Sequence, residues 1–149
     1  MAATGDAVTS AGEAVEATGD AKGITNAPVN LTREFVEAGY NNRAAVPDHP
    51  RWLAQWTADS AVARANYAPR LDLHYGPAPQ ETLDLFVPAT PARGTFVFLH
   101  GGWWRSLDKS DHSFVAPAFV DAGYAVVVAN YDLCPAVGIA TIVDQARRA

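Results

Sequence analysis

The chain has 149 residues, 49% of them hydrophobic, and a formal net charge of −5. That is the size of one domain with enough apolar content for a core, and its acidity argues against a nucleic-acid binder, which is usually basic. A single cysteine, Cys134, excludes an internal disulfide framework and metal-ligand cysteine spacing, and no run reaches the ~18 apolar residues of a membrane span.

Residues 1 to about 27 are rich in Ala, Thr and Gly and lack aromatics, so they read as a disordered tail, with at most a marginal helix at Ala11–Ala17. This stretch has no apolar segment of the secretory kind, and Asp6, Glu13, Glu16 and Asp20 against Lys22 do not suit an organelle-targeting peptide. The folded part is expected over 28–149. Thr32 caps a helix with Glu34 in its first turn and Phe35, Val36 and Tyr40 on an apolar face, ending at Tyr40-Asn41-Asn42-Arg43. A second helix starts after Pro50 with Trp52, Leu53, Trp56 and Ala63 on one face, and Pro69 closes the region. Leu71, Leu73 and Tyr75, then Leu83, Leu85 and Val87, alternate around a Gly76-Pro77 turn. They predict an antiparallel hairpin with one face in water.

Phe96–Leu99 and Ala125–Ala129 are continuous apolar runs, the pattern of strands covered on both faces. Between them, Phe114, Val115, Ala118 and Phe119 have helical spacing, Pro117 should bend or restart the helix, and Gly123 suits its C-terminus. Strand, helix and strand make one βαβ unit, and a last helix begins near Val137. The fold class is α/β.

The strongest chemical signal is His100-Gly101-Gly102-Trp103-Trp104, at the carboxyl end of the first apolar strand. Ligands bind outside the carboxyl ends of strands in open α/β sheets. Two glycines there let the backbone turn sharply and aim N–H groups into a crevice, where they can stabilise the oxyanion of acyl transfer. A tight turn with no function has the same pattern.

The segment resembles the H-G-G-x-W motif of the arylformamidase (kynurenine formamidase) branch of the α/β-hydrolases, with Trp104 at the fixed tryptophan. The resemblance continues through Arg105, Asp108-Lys109-Ser110-Asp111, Asn130-Tyr131-Asp132-Leu133-Cys134-Pro135 and Tyr40-Asn41-Asn42-Arg43, from about residue 31 onward. It implies an incomplete α/β-hydrolase fold, consisting of N-terminal helices, a hairpin and one βαβ unit, that stops before the nucleophile-elbow strand. It further implies that Gly101, Gly102 and Trp103 give backbone N–H groups to an oxyanion hole, while His100 and Trp104 shape the loop. The full-length form would hydrolyse N-formylkynurenine to kynurenine and formate, or act as a carboxylesterase with the same hole. No cofactor or metal is implied. The expected partner is a small acyl or formamide substrate, with no nucleic acid or membrane, in the cytoplasm; a homodimer of the full-length form stays open.

His100 is not read as a general base, since the catalytic histidine of this fold follows the nucleophile. His49, His74 and His112 lack metal-ligand spacing and read as structural or solvated. Asp108 and Asp111 open a helix and suit capping. Asp132 lies near the crevice rim, Cys134 is a small packed residue, and Trp103 either lines an aromatic pocket or packs in the core. None of Ser10, Ser60, Ser106, Ser110 and Ser113 sits in G-x-S-x-G, so the 149 residues hold no triad. A non-catalytic remnant or binding module is the alternative of a different class.

Overall fold

A computed structural model describes residues 31–149; the expected N-terminal tail lies outside the described residues. The chain divides after Tyr40. On the near side, α1 (Arg33–Tyr40) is capped as expected: Thr32 Oγ1 accepts from the Phe35 N–H at 3.2 Å, and Arg33 pairs with Glu37 one turn on. Phe35, Val36 and Tyr40, the expected apolar face, are exposed.

The body runs from Asn41. Asn41 caps the single turn α2 (Asn42–Ala45) through its side chain. α3 (His49–Tyr67) has Pro50 in its first turn, where a missing N–H costs nothing, and ends at Ala68 in the left-handed conformation. Strands β1 (Arg70–His74), β2 (Thr82–Phe86), β3 (Thr95–Leu99) and β4 (Ala125–Ala129) form one sheet in the order β1-β2-β4-β3. The hairpin β1–β2 is antiparallel, as is β2–β4, whereas β3 and β4 are parallel in register from Thr95↔Ala125 to Leu99↔Ala129. The β3–β4 crossover holds two 3-10 turns (Lys109–Asp111 and Ser113–Val115) and α4 (Ala116–Asp121). Pro117 restarts the helix in the first turn of α4, and Gly123 (φ +87°) turns the chain into β4. α5 (Ile139–Arg148) buries Ile142 and Gln145.

The core packs Phe86, Val126 and Val128 of the sheet against Ala116 and Val120 of α4, with Phe96 stacked on Phe119 at 3.9 Å. β4 is buried along nearly its whole length, as an apolar run should be. β3 departs from that expectation. Phe96 and Phe98 turn to the core, but Val97 and Leu99 are 48% and 42% exposed. β3 has one strand neighbour among the described residues and is covered on one face.

The hairpin departs in a second way. The buried positions of β2 are Thr82, Asp84 and Phe86, while Leu83 and Leu85 are half-buried and Val87 is exposed. Asp84 can face inward because the Lys109 ammonium meets it at 2.6 Å. A bulge in β1, with Asp72 at φ +54°, brings a second carboxylate to the same ammonium at 2.7 Å. Burial opposes the Lys109 charge, but the hydrogen bonds to Asp72 and Asp84 outweigh it and raise the pKa above the usual lysine value. No helix among the described residues is long and apolar enough to cross a membrane.

Candidate functional site

β3 ends at Leu99, and the next residue, His100, is 3% exposed. Its ring is held from every side. Nδ1 lies 2.8 Å from the Gly101 carbonyl, Nε2 lies 3.0 Å from Asn130 Oδ1, and the ring stacks on Tyr131 at 4.3 Å and on His112 at 5.7 Å. The Tyr131 hydroxyl donates to the His100 carbonyl. Burial pushes the His100 pKa below the imidazole range; the bonds to Gly101 and Asn130 pull the other way, and burial wins. Both ring nitrogens therefore face oxygen atoms. His100 is thus bonded to its own loop and to the strand beside it, the arrangement of a loop-shaping side chain.

Beyond it the backbone is left-handed for three residues: φ is +117° at Gly102 and +55° at both Trp103 and Trp104. A residue with a Cβ rarely adopts this region, at a cost of about 1–3 kcal/mol each, and such strain gathers at functional sites. At Gly102 a Cβ would collide with the Ser106 carbonyl oxygen, so only glycine fits. The Gly102 carbonyl accepts from the Arg105 N–H and from Ser106 Oγ, both at 3.1 Å. Fixing that carbonyl fixes the adjoining peptide plane. The Trp104 carbonyl accepts from the Cys134 N–H at 2.7 Å, which ties the loop to the segment after β4.

The loop opens onto a cavity of about 610 Å³. Its walls are Trp52, Leu53 and Trp56 of α3, Phe98, Phe114 and the Gly101–Trp103 loop, and Arg43 and Ser106 stand at one side. Trp56 stacks on Phe114 at 5.8 Å. Trp103, which the sequence leaves between a pocket wall and the core, lines this cavity and is 59% exposed; Trp104 is 45% exposed.

A residue the sequence reading passed over anchors the site. Asn130, directly after β4 and 4% exposed, accepts at Oδ1 from His100 Nε2 and from the Lys109 N–H at 3.3 Å. Its Nδ2 donates to Asp108 Oδ2 and Gln80 Oε1, both at 2.7 Å. The available signals were its place at the head of the Asn130–Pro135 segment of the resemblance and its position, level with His100 at the carboxyl end of the neighbouring strand. Asp108 caps the first 3-10 turn by accepting from the Ser110 N–H. Asp111 does not cap; it accepts from Thr57 Oγ1 at 2.9 Å. Asp132 exchanges two hydrogen bonds with Gln145, which pins α5. His49 and His112 bond backbone carbonyls, and no His, Cys, Asp and Glu cluster suited to a metal occurs among the described residues.

No family model matches the chain. It is 32% identical over 124 residues to a kynurenine formamidase of Salmo salar, covering 79% of this chain and 41% of that protein. It is 29% identical over 113 residues to the kynurenine formamidase of Danio rerio, covering 66% and 39%. Among solved structures, a protein of a Silicibacter species provisionally described as a thioesterase superposes with a TM-score of 0.72 at 34% identity, over 74% of this chain and 43% of that one. The chain therefore spans about two fifths of the length of the curated relatives it matches.

Proposed function

We propose that this chain, arylformamidase-like in sequence and α/β-hydrolase in fold, supplies the oxyanion-hole loop and part of the substrate pocket of a serine acyl hydrolase whose whole form cleaves an aryl formamide such as N-formylkynurenine. In that reaction a serine oxygen attacks the formyl carbon and a histidine takes its proton and passes it to the departing aryl amine. Water then releases formate from the formyl-serine. Backbone N–H groups of Gly101, Gly102 and Trp103 face the developing oxyanion, and His100 and Trp104 hold the loop that carries them. The single observation behind this reading is Gly102: a left-handed residue with no room for a Cβ, at the end of a parallel strand, beside an aromatic cavity. The acidic charge and the lone cysteine support a cytoplasmic setting.

The test joins this chain to the remaining segment of a relative and measures N-formylkynurenine hydrolysis. Gly102→Ala should lower kcat by ~10²–10³ with little change in KM, because an oxyanion-hole donor acts in the transition state. A folded Gly102→Ala enzyme with full kcat would refute the role given to the loop.

A further inference from the structure

The Asn41-Asn42-Arg43 segment has no part in the chemistry above, yet Arg43 stands at the wall of the aromatic cavity. Its Nη2 donates to Ser106 Oγ at 3.3 Å, and Ser106 Oγ donates in turn to the Gly102 carbonyl. The guanidinium is therefore two hydrogen bonds from the glycine loop, within the reach of one small molecule. No Asp or Glu lines the cavity, and among the described residues no carboxylate pairs with Arg43. One long neutral contact leaves most of a five-donor guanidinium fork unengaged.

We infer that Arg43 is a specificity-determining residue that binds the carboxylate of an aromatic ligand, so that the cavity selects aryl acyl compounds carrying an anionic group. Trp52, Trp56 and Phe114 supply the apolar walls for the ring. A planar guanidinium takes a carboxylate through two parallel charge-assisted bonds, which are stronger than its present bond to a neutral hydroxyl. Arg43 is exposed, so its charge is not committed to the core and its replacement leaves the core intact. This inference rests on the proposed function for the placement of the reacting carbonyl at Gly102, but the binding it asserts needs no turnover.

The probes are N-formylanthranilate and its uncharged primary amide, which differ only in the carboxylate. Their affinities for the full chain are read from the fluorescence of the cavity tryptophans, with circular dichroism as the fold control. The carboxylate should bind about tenfold tighter than the amide. Arg43→Gln should bring it down to the affinity of the amide and leave the amide unchanged, and Arg43→Lys should keep part of the preference. In the joined enzyme, Arg43→Gln should raise KM for the carboxylate substrate about tenfold and spare both kcat and the KM of the amide. A preference that survives Arg43→Gln overturns the inference. So does an equal loss for both probes, which would make Arg43 a support for Ser106, and so does a folded chain that binds neither. A failure of the oxyanion-loop reading registers elsewhere, as an unchanged kcat in Gly102→Ala.

Discussion

Replacing Asn130 by alanine should destabilise the protein more than its size suggests. The side chain makes four hydrogen bonds, to His100, Lys109, Asp108 and Gln80. The first two are buried and the others partly so, and water entering the gap will satisfy some of the partners on the exposed side. At about 1 kcal/mol net for each bond, with some of that loss recovered by water, the cost comes to about 3 kcal/mol. Urea unfolding of the joined protein reads it directly. With a slope of about 1.5 kcal/mol/M, the midpoint should fall by about 2 M. Asn130→Asp keeps the shape but sets a carboxylate against Asp108 Oδ2, so it should be no better tolerated. The imidazole resonances of His100 should shift in both variants, because Nε2 loses or changes its partner. A loss below 1 kcal/mol with an unmoved His100 would show that the hub has no hold on the loop.

Three further outcomes are expected. The 149-residue chain alone should give no turnover of N-formylkynurenine or a p-nitrophenyl ester, since none of its serines has the elbow pattern; turnover abolished by a serine substitution in this chain would overturn that. The chain alone should associate through β3, whose Val97 and Leu99 lie exposed on a strand with one neighbour among the described residues, and Val97→Lys should shift it toward monomer on size-exclusion chromatography. The folded-state pKa of His100 lies below the unfolded value of about 6.5, so its contribution to stability is complete above pH 6.5 and is lost as pH falls from there through the folded pKa. Urea midpoints measured across that window should decline with acid, and His100→Gln should flatten the slope.

What the sequence made legible follows from how local each signal is. The βαβ unit was readable because apolar runs, Pro117 and Gly123 act on their own neighbourhood. The glycine loop was readable because its residue types carry a backbone requirement, which Gly102 then meets. The inward turn of Asp84 was not readable: alternation fixes two faces of β2 but not which is buried, and the choice depends on Lys109, far along the chain. The uncovered face of β3 was missed because an apolar run says that both faces are apolar, not that both are packed against. Asn130 and Arg43 were missed as site residues for a third reason. Each acts through partners that only the folded chain brings near, His100 for one and Ser106 for the other.

The parallel register that sets Leu99 beside Ala129 also dictates where the gene tolerates length change. His100 and Asn130 are the next residues of two aligned strands, so their meeting depends on counting from Thr95 and from Ala125. One residue inserted within either strand slides one partner past the other by about 3.3 Å and turns its side chain to the opposite face. The exposed stretch Ala89–Ala92, between β2 and β3, carries no such count. Extra residues placed there lengthen a loop at small entropic cost and leave the pair in step. An engineer lengthening this chain should therefore insert at Ala89–Ala92 and leave the two strands at five residues each.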